Sequence, residues 1–534
     1  MASTVPTSPV PPPSPGRRTA LAAPTAPAAA GAAATETAAE AAPGLRTGAI
    51  GFVSNVAIGV ASTAPAYSLA ATLGLLVAVT GVGVHAPAVL LVSFVPMFCI
   101  SLAYRALNRI DPDCGTTFAW VTRALGPHLG WVSGFAVFGA DVIVMATLSE
   151  IAGKYLFLLV GWQAAAGSPI GLALAATAFI ALMTWVAYRG VELSARLQQA
   201  LLGLELAILV AFAVVALVRV YGGHAPGAVT PSVSWLDPLA LSPGALVDGV
   251  LLGVFVYWGW DACVTVNEES QDSAGAPGRA AVLSTLILLL VFALVSTAGQ
   301  ATAGPGFLSA HSGDVLDALG ARVLGSPLDK LLVLVVLTST AASTQTTIMP
   351  TARTLLSMGR WGALPPPLAR IHPRFATPSV ATLAMGGISA VWTVALLLAD
   401  PAQSVLGDSI TAIGFLIAFY YGLTGLACVV LHRRRLRASV ARLLGEGVVP
   451  LAGFLMLGGI FVKAFIHYSR HEIDGRPVNY APPVAGIEVP ILIGVGSLLL
   501  GVALAWGLAL VPPLRGYFTR RRQLVGPTGE LIDA

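Results

Sequence analysis

Runs of about twenty apolar residues recur along this chain, and no other feature restricts its fold so tightly. PAVLLVSFVPMFCISLAY (87–104) and VLSTLILLLVFALVSTAG (282–299) are two of them. As a helix, each is long enough to cross a hydrocarbon core of about 30 Å. Twelve runs can be counted, at roughly 49–79, 86–104, 129–160, 170–188, 197–221, 244–267, 280–303, 328–350, 379–399, 404–431, 448–468 and 487–511. Of the 534 residues, 56% are hydrophobic and only 10% are charged. The chain therefore reads as an all-α, multi-pass membrane protein embedded in a lipid bilayer.

The basic residues orient it. With the N-terminus inside and every run crossing, 22 of the 29 Lys and Arg residues fall on cytoplasmic segments. They include Arg105, Arg109, Arg123, Arg353, Arg360, the HRRRLRASVAR loop and the RGYFTRRR tail. Cytoplasmic loops are enriched in positive charge, so both termini are expected in the cytoplasm and the span number is even. The clusters need no nucleic-acid partner. Residues 1–45, rich in Ala, Pro, Ser and Thr, read as a disordered cytoplasmic tail. Residues 46–511 form the membrane domain, and 512–534 a basic cytoplasmic tail. Cys99, Cys114, Cys263 and Cys428 show neither metal spacing nor a disulfide framework. No cofactor is implied.

One run carries an internal breaker. GVASTAPAYS (59–68) places Pro65 and several hydroxyls inside the first span. The sixth span reads ALVDGVLLGVFVYWGWDACVTVNEES (245–270), with Gly259 among aromatics and Asp261 at membrane depth. Irregular backbone is tolerated there only where it is buried in protein or lines a cavity. If the first ten spans form two halves of five, spans 1 and 6 correspond and the halves run inverted. Interrupted spans at equivalent positions point to a transporter's central site. Free amides of a broken helix attract anions, and its free carbonyls attract cations.

Three further stretches carry a family likeness: RALNRIDPDCGTTFAWVTRALGPHLGWVSGF (105–135), FVYWGWDACVTVNEESQD (255–272) and TARTLLSMGRWGALPPPLARIHPRFATP (351–378). With the two interrupted spans, the chain resembles the amino acid–polyamine–organocation transporter superfamily over roughly 46–511, of the amino acid permease type. The resemblance implies a five-plus-five inverted repeat with two extra C-terminal spans. It also implies alternating access, in which spans 1, 2, 6 and 7 rock against the rest. Many amino acid carriers of that family have a glycine-rich break in span 1 whose amides hold the substrate carboxylate. Here the equivalent is Ala61-Ser62-Thr63-Ala64-Pro65, and proline removes a donor. Polyamine importers of the family resemble this version, so an amine without a carboxylate stands as the alternative substrate.

Ionisable groups within spans are costly and usually functional. Glu205 lies among apolar neighbours, where burial favours its protonated form. It reads as a proton carrier, or as a carboxyl bonded between helices. Asp261 could receive a substrate amine, relay a proton or cap the break, and Asp141 could meet a cationic group. Phe255, Tyr257 and Trp258 offer aromatic faces to an amine, and the resemblance makes Phe255 a gate over the substrate. Glu150 and Lys154 are spaced for an ion pair near the outer end of span 3. In span 8, Ser339 and Ser343 share one face and Thr340 and Thr344 another. The resemblance makes Ser343 and Thr344 candidates for sodium, an alternative to the proton as coupling ion.

The leading reading is a secondary transporter of amino acids. A potassium carrier or a transport-derived sensor is the alternative from another class. A channel would call for a glycine–aromatic filter, and an enzyme for a nucleophile–base or metal constellation within the spans; neither pattern is present. No phosphate-cradling loop ending in Gly-Lys-Ser/Thr exists to drive ATP-fuelled pumping.

Overall fold

The computed structural model describes residues 44–399, 405–470, 472–473, 476–477, 481–526 and 530–533. The expected N-terminal tail therefore lies, up to residue 43, outside the described residues. Among those described, eleven helices are long and apolar enough to cross a membrane. Numbered by place in the chain, they are span 1 (Phe52–Ala78), span 2 (Gly83–Ile110), span 3 (Pro127–Leu159), span 4 (Pro169–Arg189), span 5 (Val191–Tyr221), span 7 (Ala276–Ala310), span 8 (Lys330–Arg360), span 9 (Ser379–Ala399), span 10 (Gly407–His432), span 11 (Val440–Tyr468) and span 12 (Val489–Ala509). The sixth place is taken by two shorter helices, Pro243–Val256 and Ala262–Thr265. The chain is thus a nearly all-helical membrane protein, as its apolar runs require.

Span 1 is interrupted where the sequence demands it. Pro65 has no N–H, and its ring would clash with the carbonyl four residues back. The first half therefore ends at Thr63, and Pro65 opens a new helix. Between them Ala64 adopts a left-handed conformation, φ 49°. Span 7 bends for a related reason. Pro305 cannot donate to the carbonyl of Ala301, and the loop amide of Val229 does so instead at 2.7 Å.

The end of the bundle carrying Arg353 and Arg360 is closed by charge. Glu269, just past span 6, accepts two hydrogen bonds from the Arg353 guanidinium at 2.5 and 2.9 Å. Both side chains are essentially inaccessible. Arg360 pairs with Glu268 at 2.8 Å. The short helix Thr117–Leu125 packs beside this closure, with Asp113 just ahead of it accepting from Ser357 of span 8 and from Trp361, the residue that follows that span.

The basic C-terminal segment folds onto the same end. It forms a helix, Pro512–Phe518, and an antiparallel hairpin, Gln523–Val525 with Leu531–Asp533. The Tyr517 hydroxyl donates to the Pro127 carbonyl at 2.8 Å, and its ring stacks on Phe118. Leu524 and Val525 are buried.

Replacing Arg353 with Met should leave the Glu269 carboxylate buried and uncompensated, costing about 3–5 kcal/mol. The expected result is a clear drop in the thermal unfolding midpoint of the detergent-purified protein. Arg353→Met combined with Glu269→Leu should recover most of that loss.

Candidate functional site

The two interruptions lie against each other. Gly259 has φ 112°, and a Cβ there would stand 2.8 Å from the Ser62 carbonyl oxygen. Only glycine tolerates both that backbone and that approach. A cavity opens at this crossing. Of the residues singled out above, Ser62, Thr63, Asp141, Phe255, Trp258, Gly259, Asp261 and Ser343 line it. Spans 1, 3, 6, 8 and 10 all contribute.

The free ends of the broken span 1 are satisfied by its neighbours. The first-turn amide of Ala66 donates to Glu205 Oε1 at 2.7 Å. The next amide, of Tyr67, donates to Ser339 Oγ at 3.3 Å. Ser339 in turn donates to the same Glu205 oxygen at 2.7 Å. Glu205 thus caps, from span 5, a helix that its own chain segment cannot cap. On the other side of the break, Ser343 Oγ donates to the Ser62 carbonyl at 2.9 Å, and Ser68 Oγ to that of Thr63 at 2.7 Å. Ala61, Ala64 and Pro65 shape this turn through backbone alone. Glu205 is fully buried, and its second oxygen, Oε2, has no hydrogen-bond partner among the described residues.

Asp261 sits where span 6 is unwound. It does not cap the short helix that follows. Instead it accepts from the Tyr421 hydroxyl at 2.8 Å and, more weakly, from Tyr104 at 3.4 Å. Tyr104 continues through Thr117 to Thr424 of span 10. Asp141 accepts from Thr351 at 2.5 Å. Two carboxylates therefore face one cavity, and among the described residues no Lys, Arg or His lines it. Phe255 meets Tyr67 edge-on, with ring centroids 6.4 Å apart. The Trp258 indole N–H donates to the Tyr420 hydroxyl.

Besides Ala61, Ala64 and Pro65, which lie in the span 1 turn but do not line the cavity, three candidates stand apart from its wall. Tyr257 points away and packs between Phe94 and Phe292. Thr344 bonds back to the Thr340 carbonyl of its own helix at 2.7 Å. Glu205 lies behind the break rather than in the opening. Lys154, expected beside Glu150, donates to the Gly313 carbonyl at 3.0 Å.

Sequence reasoning passed over Tyr67, Thr116, Thr346, Thr347 and Tyr420, all of which line the cavity. One had a signal. Pro350 cannot serve the carbonyl of Thr346, four residues back, and such a carbonyl is left to face a neighbour or a cavity. Ser62 Oγ lies 3.5 Å from it.

Comparison with known proteins agrees with this architecture. A family model described as amino acid permease matches residues 48–496. An uncharacterised transporter of Mycobacterium tuberculosis is 29% identical over 389 residues, covering 70% of this chain and 77% of its own. The Asc-type amino acid transporter 1 of Homo sapiens is 26% identical over 411 residues, covering 75% and 72%. The branched-chain amino acid permease BcaP of Lactococcus lactis is 23% identical over 380 residues, covering 68% and 78%.

Gly259→Val should be poorly tolerated, because it combines a strained φ with a clash against the span 1 carbonyl. The expected outcome is a loss of monodisperse protein on size exclusion in detergent. Gly387→Ala in span 9, where a Cβ meets open space, should behave as the unchanged protein does.

Proposed function

The chain belongs to the amino acid permease family, a family of transporters rather than enzymes, and from that premise we propose that it carries amino acids across the cytoplasmic membrane by alternating access. The observation that carries this reading is the polar cavity at the crossing of the two interrupted spans. It offers carboxylates and aromatic faces to an ammonium group. The excess of basic residues on alternate segments favours both termini in the cytoplasm.

Proton coupling is the favoured source of energy. Glu205 ties the second half of span 1 to spans 5 and 8 through one oxygen, and its other oxygen is buried without a hydrogen-bond partner. Protonation would weaken the acceptor that holds Ala66 and so loosen the span that must move. For sodium, the Ser343 hydroxyl and the span 1 carbonyls remain the candidate ligands, with Thr344 turned back on its own helix.

A second substrate reading has its own support. The first-turn amides of Ala66 and Tyr67 are occupied by Glu205 and Ser339, and two carboxylates share the cavity with no cationic side chain among the described residues that line it. Such a site suits an organic amine or polyamine lacking a carboxylate.

The test is uptake by purified protein in liposomes, with radiolabelled amino acids and polyamines under a pH or a sodium gradient applied separately. Amino acid accumulation driven by an inward proton gradient is expected. Glu205→Gln should abolish that accumulation while leaving exchange of substrate across the membrane. Asp261→Asn should raise KM roughly tenfold or more, for loss of a charge-assisted hydrogen bond worth about 1.5–3 kcal/mol. Accumulation of polyamines alone would overturn the amino acid reading, and dependence on sodium alone the proton reading.

A further inference from the structure

Away from the central cavity, spans 4 and 9 form an open groove on the outside of the bundle, with a volume of about 480 Å³. On span 4 its wall is one stripe of the helix, from Thr177 through Thr184 and Trp185 to Tyr188. On span 9 it is Leu383, Gly386, Gly387 and Ala390, again one face. The two threonines add little polarity, because each hydroxyl donates to a carbonyl in the preceding turn of its own helix. At 1.5 Å per residue the stripe runs about 16 Å, close to the depth of one leaflet of a core of about 30 Å. Trp185 and Leu383 remain more than half exposed.

The groove ends at a pair of cations. Arg189, the residue after Tyr188, lies over Trp185 and over Phe375, both at 5.2 Å. Arg374 lies over the same Phe375 ring at 5.5 Å. Tyr188 and Phe375 touch edge-on, so the aromatic wall runs unbroken from groove to cations. Among the described residues neither Arg189 nor Arg374 has a carboxylate at ion-pair distance.

We propose that this groove is a binding site for one anionic phospholipid, an acyl chain lying between spans 4 and 9 and the phosphate held by Arg189 and Arg374. An apolar channel of leaflet depth, with two guanidiniums at its mouth that have no carboxylate at ion-pair distance among the described residues, matches the charge and shape of that molecule. Basic pockets between membrane helices are a recurrent form of lipid recognition. The glycines divide the work. A Cβ on Gly386 would meet the Thr184 hydroxyl at 2.2 Å, so that glycine serves helix packing. A Cβ on Gly387 meets nothing within 4 Å, so that glycine leaves the groove open.

The experiment counts retained lipid on the purified full-length protein by native mass spectrometry, after mixing with dioleoyl phosphatidylglycerol or dioleoyl phosphatidylcholine in detergent. One phosphatidylglycerol should be held in preference to phosphatidylcholine. Arg189→Gln with Arg374→Gln should weaken its retention about tenfold or more. Gly387→Phe, with both arginines intact, should remove it while leaving the melting temperature in lipid-free detergent unchanged. Glycerol 3-phosphate should not displace it. Equal retention of the two lipids, undiminished retention in Gly387→Phe or displacement by glycerol 3-phosphate would each overturn the proposal. So would a protein dimer that Gly387→Phe dissociates, since a second copy would then be the occupant.

Discussion

A backbone cut inside a membrane must have its exposed N–H and C=O groups answered by protein, since lipid offers none. That requirement organises the centre of this molecule. Pro65 breaks span 1, and the break exposes amides at Ala66 and Tyr67 and carbonyls at Ser62 and Thr63. Glu205, Ser339, Ser343 and Ser68 answer them one by one. Spans 5 and 8 are thereby bound to the point of interruption by hydrogen bonds rather than by shape alone. The crossing with span 6 follows, because only glycine at 259 lets the second interruption lie against the first. The cavity is the space that these two departures from helix leave behind.

The same constraint explains why the polar side chains of the core sit in short chains. Asp261, Tyr104, Tyr421, Thr117 and Thr424 form one; Asp141 and Thr351 form another. Each satisfies groups that would otherwise be orphaned in a low-dielectric interior. Farther along the bundle the Arg353–Glu269 pair does this with full charges, and the C-terminal helix and hairpin cover the neighbouring helix Thr117–Leu125. Arg123 of that helix holds the hairpin in place, bonding Asp111 just ahead of the helix at 2.6 Å and Gln523 of the hairpin at 2.6 Å.

Much of the fold was legible in the sequence. Helices in lipid announce themselves by length and apolarity, so the spans could be placed, although helix runs past the apolar stretch where polar residues continue it, as in span 8, which extends to Arg360 where the apolar run ends near 350. Pro65 and Gly259 marked the interruptions because their backbone chemistry acts locally. Glu205 stood out as a carboxyl among apolar neighbours. Its partner Ser339 was noticed only as part of a hydroxyl stripe, since 134 residues separate them and nothing in either neighbourhood names the other. Tyr67, Tyr420 and Tyr421 were invisible as site residues, because a tyrosine in an apolar run reads as packing. Tyr257 was the reverse case: it shares the aromatic cluster of span 6, yet the unwinding that follows turns it toward Phe94 and Phe292. The C-terminal segment read as a basic tail, because its buried contacts are with a helix nearly 400 residues earlier.

The sequence by itself determined that this is a polytopic helical membrane protein and that its first and sixth spans are interrupted. Those are consequences of local chemistry: hydrocarbon thickness against run length, a missing amide at proline, an absent side chain at glycine. Only the tertiary structure decided which groups answer the broken ends, which two carboxylates share one cavity, and which pair of arginines closes an outer groove. Those depend on helices brought together from distant parts of the chain, and hydrogen bonds across such contacts leave no period or spacing along the sequence.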